Sequence, residues 1–122
     1  MSEPRYAIYF VPAPETPLYQ TGAALLGYDV YSGRRVPFPD GLAFGDDDWS
    51  ALTSEPRVYG FHATLKAPFP LRLDLDVADL YDRVAEFARK HSPFDAGELS
   101  MGVVKADREL AFVALKPQGV SK

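Results

Sequence analysis

Residues 58–68 read Val-Tyr-Gly-Phe-His-Ala-Thr-Leu-Lys-Ala-Pro, and they carry the strongest indications of fold and function in the chain. The stretch is rich in β-branched and aromatic residues and ends at a proline, which favours a β-strand. Side chains along a strand alternate between its two faces. One face then carries Tyr59, Phe61, Ala63 and Leu65, which we interpret as a core face; the other carries Gly60, His62, Thr64 and Lys66.

The polar face of this predicted strand combines groups with complementary chemistry. Its neighbouring side chains lie roughly 6.6–6.8 Å apart, a spacing that suits several groups around one phosphate-sized ligand. Histidine exchanges a proton near neutral pH, a threonine hydroxyl donates to a phosphoryl oxygen, and lysine offsets phosphate charge. Gly60 is expected to leave space for the ligand. His62, Thr64 and Lys66 thus form a candidate acid–base site, although polar residues on the solvent face of a sheet are also ordinary.

The sequence before this stretch predicts a strand, a helix, a loop and a second helix. The strand covers 5–11. The first helix has Thr16 as its N-cap, Pro17 at its first position and Gly27 as its C-terminal stop. A loop over 28–45 follows, and then a second helix over 46–53, which ends before Pro56.

The sequence after it predicts the clearest helix, over 77–90, with Asp76 as N-cap. Its apolar residues recur at helical spacing and are expected to be buried: Val77, Leu80, Tyr81, Val84, Phe87 and Ala88. Strands over 94–104 and 109–115 follow, joined by a turn over 105–108 as a hairpin. The predicted fold class is α+β, a mostly antiparallel sheet with two main helices on one face.

Composition limits the protein to a single soluble domain. The chain has 122 residues and a net charge of −4, with 47% hydrophobic and 25% charged residues. No apolar run approaches the roughly 20 residues that span a bilayer, and the N-terminus lacks a secretory signal, so we predict a cytoplasmic protein without membrane contact. Its acidity argues against nucleic-acid binding beyond short RNA ends.

The counts of metal-binding residue types argue against a metal centre. The chain has no cysteine and two histidines, so thiolate zinc sites are excluded and an imidazole cage is not expected. The acidic run 46–48 is explained better as a charged helix start than as a calcium loop. We predict neither a metal nor a cofactor.

His62-Ala63-Thr64-Leu65 resembles the His-x-Thr/Ser-hydrophobic motif of the two-histidine phosphoesterase superfamily, which includes the RNA ligase-like cyclic phosphodiesterases. The similarity extends to RYAIYFVP at 5–12, LTSEPR at 52–57 and YGFHATLKAPF at 59–69. Together these stretches resemble a bacterial branch of the superfamily that is associated with phosphonate metabolism.

The resemblance implies a bilobal fold in which each lobe supplies one His-x-Thr/Ser motif to a central cleft. It also implies metal-independent hydrolysis of cyclic phosphodiesters, with one histidine as base and the other as acid. His62 would be one of these acid–base groups and Thr64 its phosphate clamp. The substrate would be a small cyclic phosphate, in phosphonate or ribose cyclic phosphate metabolism.

The sequence departs from the superfamily because it has no second His-x-Thr/Ser motif; His91 is followed by Ser92-Pro93 and is expected at a helix end. We therefore expect residues 1–122 to form one α+β lobe, the N-terminal half of a longer protein. A homodimer through the open face of the lobe is the alternative source of the second histidine. A non-catalytic nucleotide- or phosphate-binding module, or a protein-interaction module, also remains open.

Two residues beside the motif are further candidates for substrate binding. Arg57 precedes the predicted strand, where a local ion pair with Glu55 or Asp48 is the alternative. Tyr59 is the second candidate, with core packing as its alternative. Of Tyr6 and Tyr9, which fall on opposite faces of the first strand, at most one can lie beside His62.

Overall fold

A computed structural model of the chain describes residues 3–105 and 111–118. Its elements are β1 (Arg5–Phe10), α1 (Pro17–Leu26), β2 (Tyr28–Asp29), β3 (Arg34–Arg35), α2 (Asp46–Leu52), α3 (Ser54–Tyr59), β4 (Ala63–Pro70), α4 (Val77–Arg89), β5 (Leu99–Lys105) and β6 (Ala111–Pro117). Helices and antiparallel strands occur together, so the predicted α+β class is confirmed.

Within the described residues the strands form three two-stranded antiparallel sheets, β1–β4, β2–β3 and β5–β6. The chain divides into two compact units, Met1–Asp74 and Leu75–Lys122. The first unit contains the β1–β4 and β2–β3 sheets with α1, α2 and α3. The second contains α4 and the β5–β6 hairpin, which confirms the predicted pairing; the predicted residues 106–110 of its turn and second strand lie outside the described part of the chain.

Helix α1 begins and ends as its sequence predicts. Oγ1 of Thr16 accepts a hydrogen bond from the backbone N–H of Tyr19 at 3.3 Å, and Pro17 occupies the first turn. Gly27 ends the helix with φ 70°, a left-handed conformation that glycine adopts without steric cost. Tyr19 and Ala23 are 3% and 5% exposed, so α1 supplies the buried centre of the first unit.

The predicted loop over 28–45 contains the short β2–β3 hairpin instead of irregular chain throughout. Tyr28 pairs with Arg35 and Asp29 with Arg34. Oδ1 of Asp29 accepts from the backbone N–H of Tyr31 at 3.1 Å and from the Tyr19 hydroxyl at 2.6 Å. The sequence did not predict this hairpin, because strands of two residues show no periodic pattern. The hydrogen bond from Tyr19 of α1 that holds the turn is a tertiary contact.

The prediction of a strand from Val58 is wrong, because residues 54–59 form helix α3. Pro56 does not end the preceding helix; it lies in the first turn of α3, where proline lacks only an N–H that would be unpaired anyway. Gly60, with φ 75°, ends α3, and its N–H donates to the carbonyls of Pro56 and Arg57. Strand β4 begins three residues later, at Ala63.

The predicted core face is correspondingly wrong for most of its members. Tyr59 is 59% and Leu65 68% exposed, and Ala63 is exposed as well. Phe61 is half-buried, with its ring beside Gly22 of α1, where any Cβ would overlap the ring. Alternation predicts which side chains share a face, but burial requires a second element over that face.

Helix α4 confirms its predicted cap and refutes its predicted burial. Asp76 and Asp79 form a reciprocal capping box, each carboxylate accepting from the other's backbone N–H at 2.9 Å. None of the apolar stripe is buried: Leu80 is half-buried and the other members are exposed, with Phe87 at 65%. None of the described helices combines the length and apolar character needed to cross a bilayer.

Candidate functional site

His62 lies in the short connection between α3 and β4, and Gly60 sets its orientation. Nδ1 of His62 is 2.9 Å from the carbonyl oxygen of Gly60. Gly60 has φ 75° and ψ −178°, a backbone conformation that is essentially confined to glycine. The space beside Gly60 is not open to a ligand, as the sequence suggested, because a Cβ there would overlap Cγ1 of Val30. Gly60 therefore acts through its carbonyl.

The Gly60 contact defines the proton arrangement of the neutral ring. A carbonyl oxygen only accepts hydrogen bonds, so Nδ1 must be the protonated nitrogen. Nε2 then carries the lone pair, and it lies 3.1 Å from Oγ1 of Thr64. A hydroxyl can donate to the neutral ring or accept from the imidazolium, so Thr64 satisfies Nε2 in both states. This geometry makes Nε2 the basic atom of the site.

The strand pairing adds Tyr9 to the two predicted residues. Tyr9 in β1 is directly opposite Thr64 in β4. Its ring stacks on the imidazole of His62, with centroids 3.9 Å apart and planes 27° apart. Tyr9, and not Tyr6, therefore lies beside His62. The sequence limited the choice to one of the two tyrosines, but only the β1–β4 register selects between them.

A bulge in β4 separates Lys66 from this arrangement. Ile8 pairs with Lys66 while the next residue of β1, Tyr9, pairs with Thr64, so β4 contains one extra residue between these pairs. Because Ile8 and Tyr9 point to opposite faces of β1, the alternation that placed Lys66 beside Thr64 does not continue through the bulge. Nζ of Lys66 lies 5.7 Å from the ring centroid of Phe69. Its role in ligand binding stays a prediction.

Tyr59 is a more distant aromatic neighbour of His62 than Tyr9 is. It is the last residue of α3, and its ring centroid is 6.4 Å from that of His62, with the planes 50° apart. The side chain is more than half exposed. Tyr59 is thus available at the edge of the site, while its predicted part in substrate binding stays a prediction.

Arg57 is held by the backbone of its own unit. Its Nε donates to the carbonyl of Leu26 at 2.7 Å, and Nη2 donates to the carbonyl of Ser50 at 2.7 Å and to Oγ1 of Thr53 at 2.6 Å. Burial, assisted by the charge of Arg35, lowers the pKa of Arg57 below its ordinary value. These contacts join the end of α1 to α2 and α3, and none involves His62 or Thr64.

The alternative for Arg57, an ion pair with Glu55 or Asp48, is not formed. Within residues 3–105 and 111–118 the ion pairs are Arg72–Asp74 and Lys90–Glu86. Those same residues contain no group of three histidine, cysteine or acidic side chains arranged to hold a metal.

His91 provides an internal comparison for His62. It lies just beyond α4, as predicted, with Nδ1 2.8 Å from the carbonyl of Phe87 and its ring stacked on that side chain at 4.1 Å. Both histidines therefore bond a carbonyl through Nδ1 and stack on an aromatic ring. His62 differs in having a hydroxyl at Nε2, a feature that a common packing arrangement does not require.

Comparison with known proteins adds two kinds of similarity. Residues 64–122 match the model of a family described as a protein of unknown function, DUF1045. A Laribacter hongkongensis (strain HLHK9) protein named ribose 1,5-bisphosphate phosphokinase PhnN is 35% identical over 114 residues, which are 93% of this chain and 25% of that protein. A protein of the same name from Janthinobacterium sp. (strain Marseille) is 43% identical over 67 residues, 55% of this chain and 15% of that protein.

The chain thus spans a quarter or less of the length of these two relatives. No solved structure gives a significant match. The comparisons associate the chain with PhnN-named proteins, and they leave the two-histidine phosphoesterase resemblance as a prediction from the motif.

Proposed function

We propose that this chain is one lobe of a cyclic phosphodiesterase in which His62 transfers protons and Thr64 binds a phosphate oxygen. The observation that supports this most directly is the bonding of His62. Its Nδ1 is bonded to the carbonyl of Gly60 and its Nε2 lies against the hydroxyl of Thr64. A histidine whose tautomer is set by a carbonyl presents a defined basic nitrogen to a reacting group.

The proposed reaction is hydrolysis of a cyclic phosphodiester. Nε2 of His62 takes a proton from the attacking water as the new phosphorus–oxygen bond forms. The ring phosphorus–oxygen bond breaks, and the departing alkoxide takes a proton from a second acid. The Thr64 hydroxyl donates to a phosphoryl oxygen as charge develops there. This mechanism uses neither a metal nor a cofactor.

The second acid is proposed to come from another lobe. His62 is the one histidine of the sequence that belongs to a His-x-Thr/Ser motif. The other histidine, His91, is bonded at the end of α4 and is followed by Ser92-Pro93. The remainder of a longer protein, or a second copy of the chain, would supply the other His-x-Thr/Ser motif. Residues 1–122 are accordingly proposed to be the N-terminal lobe.

The proposed substrate is a cyclic phosphate of ribose. The name of the two relatives refers to a ribose bearing two phosphates, and phosphorylated ribose is the substrate class that we transfer to this chain. The PhnN name and the motif resemblance both favour a place in phosphonate metabolism. The half-exposed ring of Tyr59 would form an apolar wall beside the sugar.

The test replaces each histidine in the protein as its gene encodes it. Hydrolysis of ribose and nucleoside cyclic phosphates is followed by phosphorus NMR, and binding by calorimetry. We expect His62→Ala to lower turnover at least 100-fold, the scale of general acid–base catalysis. His91→Ala is the matched control, since it removes the same side chain with the same kind of carbonyl bond, and it should leave turnover within about twofold.

Equal turnover in the wild type and His62→Ala would reject the catalytic role. Binding of these phosphates without any turnover in the wild type would also reject it, and would favour a non-catalytic phosphate-binding module. Absence of both binding and turnover would reject phosphate recognition altogether.

A further inference from the structure

We infer that Tyr9 is a positioning residue for His62, holding the imidazole with Nε2 directed at Thr64. The ring of Tyr9 stacks on that of His62 at 3.9 Å. The effect of Tyr9 on turnover rests on the proposed function, whereas its effect on the conformation of His62 does not.

The imidazole of His62 is contacted at its edges by two hydrogen bonds and on one face by the Tyr9 ring, and these contacts oppose different motions of the ring. The hydrogen bonds to Gly60 and Thr64 lie at two edges of the ring and oppose its rotation in the plane. Neither bond prevents the ring from tilting, because a carbonyl oxygen accepts hydrogen bonds over a broad range of directions and a hydroxyl can rotate to donate or accept. The Tyr9 ring covers one face of the imidazole and opposes this tilt. His62 is only half-buried, so few other contacts can replace that support.

The pairing of β1 with β4 explains why Tyr9 reaches the ring. Tyr9 is opposite Thr64, the residue that also contacts Nε2. The β4 bulge lies immediately beyond this pair, between Thr64 and Lys66. Bulges redirect side chains and are enriched near active sites. Here Tyr9 and Thr64 lie on one face because they are directly opposite each other, and Ile8 and Lys66 form the next pair beyond the bulge.

The comparison with His91 separates stacking from positioning. His91 also stacks on an aromatic ring, that of Phe87, four residues earlier in the chain. That contact joins the last turn of α4 to the residue just beyond its C-cap and needs no tertiary structure. The contact between Tyr9 and His62 joins β1 to the connection that precedes β4, far apart in the chain. The second nitrogen of that imidazole faces a hydroxyl.

The conformational test uses NMR of the 122-residue chain at pH 8. The wild type should show the Nδ1–H tautomer of His62 in its ring nitrogen shifts, and upfield ring protons caused by the Tyr9 stack. Tyr9→Leu should populate both tautomers and remove the upfield shift. Tyr9→Phe should preserve both signals, because it retains the ring and loses only the hydroxyl. Tyr6→Leu is the matched control from the other face of β1, opposite Phe69.

Wild-type tautomer populations in Tyr9→Leu would overturn the inference, as would the lack of an upfield shift in the wild type. The latter measurement needs no variant and holds even if Tyr9→Leu fails to fold. Turnover supplies the second readout: kcat should fall about tenfold in Tyr9→Leu with KM little changed, and recover in Tyr9→Phe. If His62→Ala has no effect on turnover but the NMR result holds, the proposed function fails and the positioning role stands.

Discussion

Oγ1 of Thr64 lies 3.1 Å from Nε2 of His62, so the two side chains of the His-x-Thr motif are bonded to each other. They are separated by one residue, Ala63, at the start of β4. The hydroxyl therefore contacts the basic atom of the site and, in the proposed reaction, also the phosphate.

Thr64→Val should impair catalysis without impairing folding. The substitution keeps the shape and removes the hydroxyl, and a hydrogen bond to a charged group contributes roughly 1.5–3 kcal/mol, which corresponds to a loss of about 10- to 100-fold in kcat/KM. Thr64 is exposed, so the urea midpoint should change little. Thr64→Ser is the control and should retain most activity; equal losses in the two variants would contradict a role for the hydroxyl.

Gly60→Ala should destabilise the first unit by about 2–4 kcal/mol, because a side chain would meet both backbone strain and Val30. Gly33→Ala separates the two causes. Gly33 also has a positive φ, of 71°, but no atom lies within 4 Å of the added Cβ, so the expected cost is about 1–2 kcal/mol. Equal urea midpoints in the two variants would show that the Val30 contact has no effect.

Arg57→Ala should lower the free energy of unfolding by about 3 kcal/mol, since the carbonyls of Leu26 and Ser50 both lose a charged donor. Arg57→Lys should restore little of this, because an ammonium group cannot reproduce donors that point in different directions. Arg72→Ala is the control: its ion pair with Asp74 is largely exposed and should contribute less than about 0.5 kcal/mol. A loss in Arg57→Ala as small as in the control would contradict the structural role.

Stability should decrease in alkaline solution through Tyr19. Burial, followed by the hydrogen bond to Asp29, raises the pKa of Tyr19 to about 12 from the ordinary 10.0. The folded chain therefore binds this proton more tightly than the unfolded chain, and the resulting stabilisation is complete below about pH 10 and is lost as the pH rises towards about 12. Urea midpoints measured from pH 8 to 12 should fall more steeply in the wild type than in Tyr19→Phe.

The control for this titration is Tyr81→Phe. Tyr81 is an exposed residue of α4, and its replacement should leave the alkaline slope as in the wild type. A slope that is the same in Tyr19→Phe and Tyr81→Phe would show that Tyr19 does not carry the effect.

Asp76→Ala should reduce the helicity of α4 at its first turn. The carboxylate caps the N–H of Asp79, and loss of such a cap costs about 1 kcal/mol. Amide exchange over the first turn should accelerate about fivefold, whereas Asp82→Ala, an exposed change within the same helix, should have little effect. Equal amide exchange rates over the first turn of α4 in Asp76→Ala and Asp82→Ala would exclude a capping contribution from Asp76.

Local chemistry was sufficient to predict several features of this chain. The ends of α1 were predicted from Thr16, Pro17 and Gly27, and the start of α4 from Asp76. These predictions succeeded because a capping residue acts within one turn of its own position. The two-residue spacing of His62 and Thr64 likewise predicted their proximity, and they are in contact even though His62 lies just before β4 and only Thr64 lies within it.

Other features depended on contacts between distant segments. The helix over 54–59 was missed because a first-turn proline reads like a helix end, and the wrong strand start then misplaced Tyr59. Strict alternation placed Lys66 with Thr64, but the β4 bulge interrupts it. Helical periodicity predicted α4 but not the exposure of Phe87, because periodicity describes a helix and not the element that would cover it.

The motif pair, the caps and the α+β class were therefore contained in residue order alone, because each depends on neighbours within a few positions. The tautomer of His62, the selection of Tyr9 over Tyr6 and the anchoring of Arg57 required the folded chain. The choice of Tyr9 and the anchoring of Arg57 depend on a strand register and a carbonyl contributed by distant segments. The tautomer of His62 depends on the local backbone conformation of Gly60, which the residue pattern does not specify.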